Sequence, residues 1–336
     1  MRLLHLVLVV LAMALAVVAD PPPKEDDPAL SKIRVLRNEA LKLKDKRAYG
    51  QSVQKLDKAI RSLRDLHESR TDAKKRTADA ALLGQTLNEL GNVLALDQRY
   101  EDAERVLKQS VDLNLKVLGD SHPSYSLALR NLAEVYMALD KYDEAISSYK
   151  TLKFHAQQGL GQQHAACIDA SRRMGESFQK LGKFKKAVKV YKTILKQLDL
   201  PTPESSGEIM GEPGVGEIFM GLASSLLRVD KLDEAIQYGE RAEHIMRVRD
   251  GENSMGYAFS QNVLAGIYTH KGEEDVALDY LETAQRIAVR EYGLTHEIVK
   301  AGQRNIERLQ DRVQEKKDRK KRKAELEAAT DEKTEL

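Results

Sequence analysis

Between residues 131 and 139 the apolar positions Leu132, Val135, Tyr136 and Leu139 fall three or four apart, the spacing of one helix face. Asp140-Lys141 interrupts the pattern as a polar turn, and a second helix is predicted from Tyr142. The arrangement recurs along the chain. A small residue is followed nine positions later by an aromatic or apolar one, and three later by another small one. The copies are Gly91, Tyr100 and Ala103; Ala133, Tyr142 and Ala145; Gly175, Phe184 and Ala187; and Ala223, Leu232 and Ala235. Ala265, Glu274 and Ala277 keep the small residues but lose the aromatic, and Ala40, Tyr49 and Ser52 form an earlier copy. Successive first small residues lie 51, 42, 42, 48 and 42 positions apart. One hairpin cannot bury its own apolar stripe, so the pattern predicts stacked helix pairs, with small residues at the close approaches.

Two irregular steps locate the exceptions. LPTPESSGEIMGEPGVGE, residues 200–217, is rich in proline and glycine and predicts a loop within the 48 step. HESRTDAKKRT, inside the 51 step, is polar and could lengthen two helices. After the last copy, Ile298, Gly302, Ile306, Leu309 and Val313 predict an amphipathic capping helix over 297–313, followed by a charged tail over 314–336.

The best copy, LGDSHPSYSLALRNLAEVYMALDKYDEAISSYK over 118–150, resembles the tetratricopeptide repeat family in the 42-residue variety of kinesin light chains. The resemblance covers residues 31–296 as about six repeats. It implies an all-α, right-handed superhelical solenoid of antiparallel helix pairs whose first helices line an inner groove. Carrying its phases onto this chain turns Asn88, Asn92, Arg130, Glu134, Arg172, Glu176 and Asn262 into that groove. Asn92, Asn131 and Arg173 match the polar positions of the carboxylate clamp found in some relatives. Asn88 and Asp169 stand where the clamp wants lysines, so the clamp itself is not expected. Arg130 and Arg172 each have a glutamate four residues on, Glu134 and Glu176, an ion-pair spacing within one helix.

Composition narrows the picture further. The chain has 336 residues, 32% charged and 5% aromatic, no Trp and a net charge of +2. That balance gives no general attraction to nucleic acid or membrane. MRLLHLVLVVLAMALAVVAD reads as a secretory leader cleaved after Ala19, and residues 20–30 as an acidic, proline-rich linker. The chain ends Lys333-Thr334-Glu335-Leu336, which resembles a KDEL-type retrieval signal with Thr in place of Asp. Together they predict the endoplasmic reticulum lumen, with secretion or another endomembrane compartment as the alternative. Cys167 is the single cysteine, so no internal disulfide is available.

Candidate chemistry is thin. His122, His164 and His296 share one repeat phase, in LGDSH, LGQQH and YGLTH, so they are a repeat apart and cannot converge on one metal. Their predicted role, with Gly119, Gly161 and Gly293, is to end one helix pair and cap the next. GEPGVG, residues 211–216, lacks the Gly-Lys-Ser/Thr of a phosphate loop. KKDRKKRK, residues 316–323, reads as a solvated helical extension rather than a nucleic-acid patch. No cofactor, metal or small-molecule substrate is called for, and membrane contact is expected only through the leader. The expected function is a non-enzymatic lumenal scaffold for peptides or extended protein segments. The alternatives are a substrate-binding subunit of a lumenal modifying enzyme and a kinesin-light-chain-like cargo adaptor.

Overall fold

A computed structural model describes residues 27–200 and 214–334. The leader, residues 20–26 of the linker, most of the predicted loop, and Glu335 and Leu336 of the terminal tetrapeptide lie outside these residues. Among the described residues there are thirteen α-helices and no strand. They are α1 (Pro28–Asp45), α2 (Tyr49–Ser69), α3 (Ala73–Leu96), α4 (Tyr100–Leu118), α5 (Pro123–Ala138), α6 (Tyr142–Leu160) and α7 (Ala165–Lys180). There follow α8 (Phe184–Gln197), α9 (Val215–Leu227), α10 (Leu232–Asp250), α11 (Met255–Lys271), α12 (Glu274–Tyr292) and α13 (Glu297–Thr334).

The repeat pattern explains where each helix starts. The aromatic or apolar position opens every second helix: Tyr49, Tyr100, Tyr142, Phe184, Leu232 and Glu274 are the first residues of α2, α4, α6, α8, α10 and α12. Two residues earlier the backbone turns left-handed, at Arg47, Gln98, Asp140, Gly182, Asp230 and Gly272. Between pairs, Gly119, Gly161, Gly251 and Gly293 carry φ of 79–90°, which glycine alone adopts without steric cost. The histidines then cap the next helix. Nδ1 of His122, His164 and His296 accepts the backbone N–H two residues on, at 3.1–3.2 Å. Asp72 and Ser254 do the same work for α3 and α11. The small residues sit where helices touch: Ala103, Ala133, Ala145, Ala187, Ala223, Ala235 and Ala277 are fully buried.

The contacts divide the chain into two units, residues 1–128 and 129–336, each described by itself. In the first, α1 to α4 pack in sequence, and Ile33, Ala59 and Leu63 form a core flanked by Leu36 and Leu66. Helices α2 and α3 are long, and the polar stretch at 67–77 supplies their adjoining ends. In the second unit, consecutive helices pack from α6 to α13, and α9 also touches α7 and α11. Its core runs from Ile168 through Tyr191, Phe219 and Leu222 to Ile267.

Three boundaries differ from expectation. Residues 28–30, predicted as linker, open α1, with Asp27 as its cap and Pro28 at its first position. Residues 215–217, predicted as loop, begin α9, because Val215, Ile218, Phe219 and Leu222 bury one apolar face. The capping helix predicted over 297–313 and the helical extension read over 316–323 form one unbroken helix, which runs on to Thr334. Its apolar positions Val299, Ile306, Leu309 and Val313 are buried; beyond them Lys316 and Lys317 pair with Glu274 and Asp275 of α12. Glu274 occupies the aromatic's place in its repeat and is only 4% exposed. Arg312 at 3.2 Å and Lys316 neutralise it, so an ion pair to the capping helix replaces the missing ring.

Candidate protein-binding face

The predicted groove residues divide between the units. In the first, Asn88 and Asn92 lie on α3; Asn88 is 8% exposed and hydrogen-bonded or otherwise paired, so it offers no open surface donor. In the second, α5 carries Arg130, Asn131 and Glu134, α7 carries Arg172, Arg173 and Glu176, and α11 carries the exposed Asn262.

The charged residues of α5 and α7 form one lattice. Asp169 lies between Arg130 at 3.1 Å and Arg172 at 2.6 Å. Arg172 also pairs with Glu176, as the i, i+4 spacing predicts. Arg130 does not follow the same rule: its partner is Asp169 on the neighbouring helix, and Glu134 instead faces Arg173 at 3.3 Å. Glu134 further accepts the hydroxyl proton of the buried Tyr149 at 2.8 Å. Cross-helix pairing wins because stacked first helices bring opposite charges together and fix both ends.

Opposite charges outweigh burial at Asp169 and Arg173. Burial pushes the Asp169 carboxyl up, but Arg172, Arg130 and Arg173 outweigh it and hold it below its ordinary value. Burial likewise works against charge on Arg173, and Glu134 and Glu176 more than restore it. Tyr149 is raised well above a free phenol, first by burial and then by Glu134. Three arginines face three carboxylates, so the lattice is balanced, and Asp169 cancels positive charge where an anion clamp would need a lysine.

The same helix positions change character along the unit. Gln179 on α7 donates to the Gly221 carbonyl at 2.9 Å and to Ser224 at 2.7 Å. Met220 and Leu227 on α9 are half-buried, and Phe259 on α11 is 51% exposed. Gly266 lies beside Leu227, whose nearest atom would meet an added Cβ at 3.7 Å, an ordinary contact. The face thus runs from charged on α5 and α7 through amide and hydroxyl to apolar on α9 and α11.

Tyr149 was not among the predicted groove residues. Tyr149 and Tyr191 are 42 positions apart, the repeat step itself, and that spacing was the available signal. Cys167 is fully buried, and burial pushes its thiol up, away from the reactive thiolate. Among the described residues no group of three or more His, Cys, Asp or Glu could hold a metal ion.

The tetratricopeptide repeat family model matches residues 82–152, 124–198 and 215–312. A related repeat model matches 172–247. Two curated proteins align over most of the chain. "RxLR effector protein SFI4" of Phytophthora infestans is 37% identical over 86% of this chain and 85% of its own length. "Secreted RxLR effector protein RXLR-C07" of Plasmopara halstedii is 38% identical over 90% and 93%. Among solved structures, the kinesin-light-chain-like repeats of Podosopora anserina superpose with a TM-score of 0.52 at 19% identity, covering 63% of this chain and 97% of that one. BtubC of P. vanneervenii gives 0.55 at 16%, covering 73% and 93%. These distant likenesses establish an all-α repeat solenoid. The tetrad spelled in the effectors' names occurs twice here, as Arg34-Val35-Leu36-Arg37 in α1 and Arg61-Ser62-Leu63-Arg64 in α2. Both lie within helices. Leu63 is fully buried, Leu36 packs on the same core, and Arg37 forks onto Glu89 at 2.6 and 3.0 Å.

Proposed function

We propose, from the premise that this chain belongs to the tetratricopeptide repeat family, that it is a secreted, non-enzymatic scaffold that holds an extended segment of another protein. The segment lies along the first helices α5, α7, α9 and α11. The observation that carries this reading is the graded face just described. A preorganised charged lattice at one end and the exposed Phe259 at the other suit a chain with charged and apolar side chains in succession. Because the lattice is charge-balanced, selection rests on the order of side chains and not on net charge.

Secretion is preferred to lumenal residence because relatives over most of the chain's length carry the name of effectors, one of them named as secreted. Those names lend no support to the endoplasmic reticulum lumen. Selection from a random peptide display library with the full chain tests the binding face. Selected peptides are expected to lose affinity with Arg130→Gln and with Phe259→Ser, both exposed enough to leave the fold intact. Peptides bound equally by both variants would place the site elsewhere.

A further inference from the structure

We propose a second binding site in the first unit, for a peptide segment that carries carboxylates beside an apolar side chain. A recess of about 310 Å3 lies between α2 and α4 with α3 as its floor, at the lower end of the range for ligand pockets. Four arginines ring it: Arg61 and Arg64 from α2, and Arg99 and Arg105 from the start of α4. Only Asp57 and Asp102 oppose them among the lining residues, so the rim is positive. The lattice on α5 and α7, by contrast, is charge-balanced.

The two sides of the rim are unequally filled. On the α4 side, Asp102 already lies between two guanidiniums, 2.7 Å from Arg99 and 3.2 Å from Arg105. Both side-chain hydrogen bonds hold its carboxyl below the ordinary value. On the α2 side neither arginine pairs with a carboxylate, Asp57 included. Arg64 makes a long hydrogen bond of 3.4 Å to Gln109, and Arg61 makes no ion pair or hydrogen bond among the described residues. Guanidinium forks match carboxylates in a planar, two-bond geometry, so an incoming acid completes on α2 what Asp102 supplies on α4.

The floor separates a peptide from other anions. Leu87, Leu90 and Leu94 of α3 line it and are nearly buried, leaving an apolar spot below the charges that a bare inorganic anion would not use. None of the exposed large apolar side chains of the described residues lines the recess, so it presents nothing to the acyl layer of a membrane.

The test is fluorescence anisotropy of the full chain with a fluorescein-labelled synthetic peptide of alternating glutamate and leucine. Its glutamine counterpart, inorganic phosphate and phosphatidylserine vesicles serve as competitors. The glutamate peptide is expected to bind about tenfold or more tightly than the glutamine peptide. Arg61→Gln with Arg64→Gln should remove that preference while the circular-dichroism melt stays unchanged, since both side chains are exposed. Asp102→Asn should tighten binding by freeing Arg99 and Arg105. Lys320→Gln with Lys321→Gln on α13 should change nothing. Equal affinity for the two peptides, or indifference to the α2 double substitution, would overturn the proposal. So would displacement by phosphate or vesicles as effective as by the peptide.

Discussion

Gly175 offers a test in which two physical effects carry opposite signs. A Cβ added there would lie 2.6 Å from Cζ and 2.8 Å from Cε1 of Tyr191, where carbon atoms normally meet at about 3.5–4.0 Å. The Tyr191 ring cannot retreat, because a Cβ at Gly221 would also lie 2.6 Å from its Cζ. The ring is therefore gripped between α7 and α9, fully buried, with its hydroxyl donating to Gln179 at 3.1 Å. Helix propensity alone makes Gly175→Ala stabilising by about 1 kcal/mol. Overpacking a fixed core costs about 1–3 kcal/mol, and a ring held on both faces belongs at the upper end. The net expectation is a loss of about 1–2 kcal/mol, read as a lower urea midpoint of the full chain. In a Tyr191→Leu background the clash is gone and the same substitution should become stabilising. A raised midpoint in the otherwise unchanged chain, or the same cost in both backgrounds, would refute the wedge.

Three further outcomes follow from the geometry. Glu274→Gln removes the anion that holds Arg312 and Lys316; it should cost about 1 kcal/mol, since both cations stay half in water, and should speed tryptic cleavage at 316–323. Asp169 is held below its ordinary carboxyl value, so its contribution is complete above about pH 4 and is lost as the pH falls further. The stability gap between the unaltered chain and Asp169→Asn should therefore close on acidification from pH 5 to pH 3; a gap that widened would reverse the sign. His164→Ala should cost about 1 kcal/mol as a lost helix cap while zinc changes neither protein's melting temperature. A zinc-dependent rise in the unaltered chain alone would make His164 a ligand.

The fold was legible because its signal is periodic. Small residues, turn aromatics and the glycine–histidine caps repeat at one phase, and each does in space what its spacing implies. What escaped depended on pairs that no single helix contains. Arg130 was expected on Glu134 within its own helix and instead meets Asp169 on the next. Tyr149 joined the lattice from a second helix. The arginine-ringed recess was invisible for the same reason, since Arg61 and Arg99 become neighbours only when α2 and α4 stack on α3. Glu274 looked like a decayed repeat position, and its compensation lay 38 and 42 residues away on the capping helix. The helical extension expected over 316–323 is present, and α13 runs past it to Thr334 although apolar spacing ends at Val313.

Amide hydrogen exchange of the full chain, with and without a library-selected peptide at saturation, addresses the central claim most directly. The account predicts slowed exchange concentrated on α5, α7, α9 and α11, with the second helices α6, α8 and α10 unaffected. Protection confined to the second helices, or spread evenly over the chain, would contradict it.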